Sequence, residues 1–245
     1  MNNQLTHISL CTGIGGFDEA AEIVGFVNVA NCEIDEKCRN YLKQRFPDAK
    51  QYTDVRKDYP KEKSLVVSFG FPCQDISLAG KGAGIFGEKS KVFFDCMDVV
   101  RKIRPQYIII ENSTAILHRG MANVLAELSN SGYNAEWQCL SGSQFGFPIL
   151  RKRLFIIAKS MRSRLCNPIF QPFKAINLHN EWKTPSETFL HVSTSRANGF
   201  ADIRAIHRGS RIPNNNFWLH SLGNSVMPPV AEYVFRCIKN DFLKV

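Results

Sequence analysis

At 245 residues, with 44% hydrophobic and 22% charged side chains, the chain has the make-up of one substantial core with room for a small appended module. No run reaches the roughly 18 apolar residues of a membrane helix. Residues 1–9 (MNNQLTHIS) lack the basic start and apolar core of a secretory signal, so a cytoplasmic protein with no membrane partner is expected.

The first strand is expected at HISLC (7–11), and SLCTGIGGFDEA (9–20) leads from it into a helix over 17–24. Gly13, Gly15 and Gly16 let the backbone turn tightly and approach a ligand at the helix N-terminus. Their spacing is G-x-G-G rather than the G-x-G-x-x-G of a dinucleotide fold, and a glycine turn that merely joins strand to helix reads the same. The second strand, VNVANC (27–32), ends at CEID, where Glu33 is placed to bind ribose hydroxyls. Together these features suggest a nucleoside-bearing cofactor held without a pyrophosphate grip. A helix over 36–46 follows, and then a third strand, LVVSF (65–69).

SFGFPCQDIS (68–77) is the most unusual stretch. Cysteines are mostly buried small hydrophobes, yet Cys73 stands where the backbone leaves the core for a glycine-rich loop. Pro72 stiffens the turn before it and points the thiol in a fixed direction, as a nucleophile needs. The other seven cysteines are scattered with no C-x-x-C pair, which suits reduced thiols rather than disulfides or a structural zinc.

A helix over 92–103 precedes the strand YIIIE (107–111). Glu111 ends that strand, in the crevice where open α/β sheets bind ligands, although a solvated strand end has the same letters. A helix over 121–130 ends at SGYN (131–134), and a strand over 133–140 follows. In FPILRKRLFIIA, Arg151 and Arg153 share a face at the start of the last strand, RLFIIA (153–158), a spacing that surface arginines also show. Continuous apolar strands alternating with amphipathic helices predict a doubly wound, mostly parallel α/β sheet.

After Ala158 the alternation stops. Residues 159–216 are basic and irregular, broken by Pro168, Pro172, Pro185 and Pro213, and read as a small second lobe, either a separate module or an elaborated insertion. PPVAEYVFRCIKNDFL (228–243) restores a helix with its prolines at the start. The net charge of +9 is concentrated here: residues 151–211 hold 12 basic and 3 acidic side chains, against 16 and 17 in residues 1–150. Such a concentration marks a polyanion site, since neutralised phosphates release their counterions, with a solvated basic face as the alternative. Arg162, Arg164, Lys174, Lys183, Arg196, Arg204, Arg208 and Arg211 are the candidate nucleic-acid contacts.

The order G-x-G-G, GFPCQDIS, ENS, QFGFPILRKR, SLGNSVMPP resembles that of the DNA (cytosine-5)-methyltransferases, over residues 8–158 and 220–234. The resemblance implies a sheet of the S-adenosylmethionine-dependent methyltransferase type. It divides the chain into a catalytic, cofactor-binding domain (1–158 plus 217–245) and a target-recognition region (159–216). It further implies a monomer that methylates C5 of a flipped-out cytosine in double-stranded DNA, with S-adenosylmethionine as cofactor. Cys73 would attack C6 as the thiolate, and Glu111 would hydrogen-bond N3 and the exocyclic amine. Arg153 would hold the base from its O2 side, with Arg151 supporting the pocket.

For the cofactor, the same likeness implies Gly13, Gly15, Gly16 and Phe17 beneath the methionine part, Glu33 on the ribose and Ile34 on the adenine. Asp54 would accept from the adenine amine beside Val55, with further contacts at Pro72 and Val92 and a closing block at Asn224, Ser225 and Val226. Gln74, Ser77 and Lys89 would touch DNA, and LAGKGAGIFGEKSK (78–91) resembles the loop that closes on it. No residue reports on the recognition sequence or on a cognate restriction endonuclease.

Several positions depart from the family pattern. Cys11 stands where phenylalanine is usual, which removes one aromatic wall of the adenine pocket; Lys89 replaces an arginine, Ser113 turns ENV into ENS, and Ile149 replaces a glutamine. The block that anchors the recognition region is reduced to RAIHRGSRIPN (204–214). Two other readings stay open: an RNA cytosine-5 methyltransferase on the same core, whose Cys-Phe-Thr signature is missing, and a DNA-binding relative with impaired catalysis.

Overall fold

The computed structural model describes residues 4–72, 74–76, 84–147, 150–163, 168–172 and 225–244. In chain order these contain β1 (Thr6–Leu10), α1 (Gly16–Val24), β2 (Val27–Cys32), α2 (Glu36–Arg45), β3 (Lys50–Tyr52) and β4 (Val66–Gly70). There follow α3 (Val92–Ile103), β5 (Tyr107–Ser113), α4 (Ile116–Arg119), α5 (Met121–Asn130), β6 (Tyr133–Ser141), β7 (Lys152–Ser160) and α6 (Pro228–Leu243). The strands form one sheet in the order β3-β2-β1-β4-β5-β7-β6. All pairs among β1 to β5 are parallel, and β7 runs antiparallel to both β5 and β6.

The side-chain period of a strand explains how both faces are buried. Ile8, Leu10, Ile108, Ile110, Leu154 and Ile156 join the core under α3 and α5; the alternate residues Tyr107, Ile109, Phe155 and Ile157 join the core under α1 and α6. Apolar side chains on both faces make the strand sequences continuous rather than alternating. A buried polar contact pins α6 down: the Tyr107 hydroxyl donates to Asp241 Oδ2 at 2.6 Å, and the Lys159 ammonium lies 2.7 Å from the same oxygen.

The doubly wound, mostly parallel sheet is the one expected. Three features were not. β3 is only three residues long and has no apolar run. Strand β7 continues two residues past Ala158, and its direction is opposite to that of its neighbour β5. Residues 164–167 and 173–224, most of the proposed recognition region, lie outside the described residues.

A buried polar chain runs beneath the glycine turn. The Ser9 hydroxyl donates to Asp18 Oδ1 at 2.8 Å, and Asn28 Nδ2 donates to the Asp18 carbonyl at 2.8 Å. His7 lies between Asn28 Oδ1 and Ser68 Oγ, each at 2.7 Å. Burial pushes the Asp18 carboxyl up to about 7 and the His7 imidazole down to about 4. The two act on stability in opposite directions. A raised carboxyl stabilises the fold below its unfolded pKa, near about 3.9, and that contribution fades as pH rises toward 7. A lowered histidine costs stability as pH falls from about 6.5 toward 4, because only the unfolded chain takes up the proton. Asp18→Asn removes the first effect and keeps the second. Its stability relative to wild type should rise between about pH 4 and 7, by at most about 1.4 kcal/mol per pH unit, and level off above. Urea unfolding at pH 4.5 and 7.5 checks this, and a difference that does not change with pH contradicts it.

Candidate active site

The order of the parallel strands reverses between β1 and β4, so the connections leave their carboxyl ends in opposite directions and open a crevice. A cavity of about 550 Å³ lies there. The ends of β1, β2, β4 and β5 supply Thr12, Glu33, Pro72 and Glu111 to its walls, and the start of α3 supplies Val92. Arg151 and Arg153 arrive differently. β7 runs antiparallel and therefore begins where the other strands end, with Arg153 paired to Ser113 of β5.

In the half of the cavity nearer α1, the backbone makes most of the shape. Gly15 is the N-cap of α1 with φ 84°, a left-handed conformation suited to glycine. A Cβ on Gly16 would lie 2.4 Å from the Val226 carbonyl oxygen, so only glycine lets the segment at Ser225 and Val226 close against the turn. Glu33 locks the turn to the end of β2, accepting from Gly13 N at 2.6 Å on one oxygen and from Asp35 N at 2.9 Å on the other. Each oxygen keeps a lone pair for a further donor. Burial pushes the Glu33 carboxyl up, against the pull of these two N–H groups. Beside it Ile34 is 65% exposed, an apolar face open to a flat ligand.

Asp54 is gripped by Arg56, whose Nε and Nη2 each donate to one of its oxygens at 2.9 Å and hold the carboxyl below its ordinary value. Arg56 and Asp95 line the cavity although neither was singled out from the sequence. Asp95 was within reach of that reasoning: it follows Val92 by three residues and so shares its helix face. Cys11, in the position where the family carries phenylalanine, has φ 50° and places its sulfur 3.8 Å from that of Cys96.

The other half holds a buried acid. Glu111 is 7% exposed, and its Oε1 lies 3.0 Å from Nε of Arg153. Burial pushes its carboxyl up; Arg153 and then Arg151 oppose the rise. Next to it, Asn112 Nδ2 donates to the Phe71 carbonyl at 2.9 Å, tying the end of β5 to the chain leaving β4.

Most of the residues picked from the sequence meet in this one space. Gly13, Gly16, Phe17, Glu33, Ile34, Asp54, Val55, Pro72, Val92, Ser225 and Val226 line it, together with Glu111, Arg151, Arg153, Gln74 and Lys89. Gly15 backs onto Leu42 and Phe46 instead. Arg162 is not at the crevice: β7 carries the chain about 26 Å toward the opposite sheet edge before reaching it. Cys73, Ser77, Asn224, Arg164 and the other six basic candidates lie outside the described residues.

The sequence profile of the C-5 cytosine-specific DNA methylases matches residues 5–216. Similar proteins include the Type II methyltransferase M.NgoBV of Neisseria gonorrhoeae, 31% identical over 182 residues, covering 66% of this chain and 42% of that one. M.HpaII of Haemophilus parainfluenzae is 29% identical over 167 residues, covering 64% and 46%. The chain thus spans less than half the length of these two relatives. Among solved structures, the S. pombe Dnmt2 methyltransferase superposes with a TM-score of 0.66 at 16% identity, covering 99% of this chain and 100% of that chain. A DNA modification methyltransferase encoded within an E. coli prophage gives 0.55 at 21% identity, covering 74% and 54%. These likenesses establish the methyltransferase fold.

Proposed function

This chain belongs to the C-5 cytosine-specific DNA methylases, and on that premise we propose that it methylates C5 of a flipped-out cytosine in double-stranded DNA, with Cys73 as nucleophile. The observation that carries the reading is a cavity at the switch point. It joins a nucleoside-suited wall (Glu33, Ile34, Asp54) to a buried acid paired with arginine (Glu111, Arg153).

S-adenosylmethionine fits the residues present. About 550 Å³ is ample for a ligand of that size. Glu33 would take the ribose hydroxyls on its remaining lone pairs. Asp54 would take the adenine amine, since a carboxylate held by arginine still has acceptor capacity. Gly13, Gly16, Phe17, Ser225 and Val226 would enclose the methionine end. When bound, the cofactor supplies an electrophilic methyl group.

The protein's task is to make C5 of cytosine nucleophilic. The Cys73 thiolate adds to C6 and opens the C5–C6 double bond. Glu111, whose burial favours its protonated form, hydrogen-bonds N3 and the exocyclic amine and gives N3 its proton as the thiolate adds. Arg153 keeps Glu111 in place through Nε, and its guanidinium would meet O2 of the base. Once C5 is methylated, a water-borne base removes the C5 proton, the Cys73 thiolate departs to restore the double bond, and N3 returns its proton to Glu111.

Assays with duplex DNA and tRNA, each with radiolabelled cofactor, test the reading. Label on duplex cytosine alone is expected, and label on tRNA alone overturns it. Bisulfite sequencing of DNA from expressing cells would then report the target sequence.

The basic stretch over 151–211 supports DNA as the substrate. If about six phosphates are neutralised, affinity should fall by about 10³ between 50 and 200 mM salt. Alanine variants of Lys174, Lys183, Arg204 and Arg208 should each lower that slope by about one unit when the residue meets a phosphate, or cost about 1–3 kcal/mol at one base position when it reads an edge. A salt titration in which no variant alters affinity, slope or preference makes this stretch a solvated face.

A further inference from the structure

The chain on either side of Cys73 is tied to one residue, Ser90. Fully buried just before α3, Ser90 donates its hydroxyl to the Pro72 carbonyl at 3.0 Å and its backbone N–H to Asp75 Oδ2 at 2.9 Å. Pro72 precedes the nucleophile and Asp75 follows it by two residues. The Asp75 carboxylate also accepts from Lys89 N at 2.8 Å, and its carbonyl accepts from Gly84 N at 3.1 Å. Gly87 makes the approach possible, since a Cβ there would lie 2.4 Å from both Cβ and Cγ of Asp75. The N–H groups of Ser90 and Lys89 hold the Asp75 carboxyl below its ordinary value, so it stays ionised and makes charge-assisted bonds. Neither Ser90 nor Asp75 is part of the cavity wall.

We propose that Ser90 and Asp75 are positioning residues for the nucleophile: together they clamp the backbone before and after Cys73 onto the start of α3. Trans peptide units are rigid, with 3.8 Å between successive Cα atoms, so fixing residues 72 and 75 confines the residue at 73. Attack on C6 demands such confinement, because a misplacement of about 1 Å can cost about 10²-fold in rate. The inference rests on the assignment of Cys73 as nucleophile.

Ser90→Ala removes the hydroxyl and leaves the N–H in place. Asp75→Ala removes the acceptor, and Asp75→Asn keeps one. The measurements are single-turnover methyl transfer to duplex DNA, KM for DNA, calorimetric binding of S-adenosylhomocysteine, and the thermal midpoint. Ser90→Ala and Asp75→Ala should slow the single-turnover step about 10- to 100-fold, with KM and cofactor affinity within about threefold. Asp75→Asn should recover most of the rate. Unchanged rates in both alanine variants, with Cys73→Ser inactive, overturn the positioning role and leave the function standing. Losses that merely track cofactor affinity or the thermal midpoint, with no rescue by asparagine, overturn it as well. An active Cys73→Ser removes the functional reading itself.

Discussion

Cys73→Ser is expected to bind S-adenosylmethionine within about twofold of wild type and to transfer methyl groups at least about 10³-fold more slowly. The two side chains are nearly isosteric, so the cavity keeps its shape. A thiol supplies some thiolate at neutral pH, whereas a serine hydroxyl ionises hardly at all and needs a base beside it. Departure matters too, because the adduct must collapse by expelling the same group that formed it. Calorimetry with the cofactor and tritium incorporation into duplex DNA separate the two effects. Substantial turnover by the serine variant would remove Cys73 from the mechanism.

Glu111→Gln should lower the rate by about 10²- to 10⁴-fold, the usual size of an acid–base contribution, while DNA affinity stays within a few-fold. The amide still fills the buried site and still hydrogen-bonds, but it has no proton of suitable acidity for N3. It also leaves Arg153 without its ion-pair partner, so some loss of stability should accompany the rate effect. The pH dependence carries a further signature. Burial raises the Glu111 carboxyl, so the wild-type rate should fall as pH rises through its titration, and this falling limb should vanish in the glutamine variant. Collapsed DNA binding with normal single-turnover chemistry contradicts the assignment.

How much was legible in the sequence varied with the kind of signal. Helices α3, α5 and α6 run over 92–103, 121–130 and 228–243, as their apolar periodicity and the prolines at the start of α6 implied. β3 was missed because three residues, KQY, carry no period. The arginine pair was seen, but its meaning depends on β7 being antiparallel, and strand direction leaves no mark on a short apolar run. Glu33 and Glu111 stood out because carboxylates at the ends of apolar strands are conspicuous. Ser90, Asn112 and Arg56 did not. Their partners are a Pro72 carbonyl, a Phe71 carbonyl and the Asp54 carboxylate, contacts of ordinary polar residues. The first two, between segments far apart in the chain, exist only after it folds.

The proposed reaction turns on a covalent bond between Cys73 and C6 of cytosine in DNA, and one experiment sees that bond. Duplex DNA of varied sequence, synthesised with 5-fluorocytosine in place of cytosine, is incubated with the protein and S-adenosylmethionine. The products are denatured, digested and mapped by mass spectrometry. Fluorine at C5 cannot be removed as a proton is, so the departure of the thiolate is blocked and the adduct accumulates. The expected product is a denaturation-resistant complex that requires the cofactor, carries the nucleotide on the peptide containing Cys73, and is missing in Cys73→Ser. A complex linked through another residue, or none with protein that binds both cofactor and DNA, would contradict it.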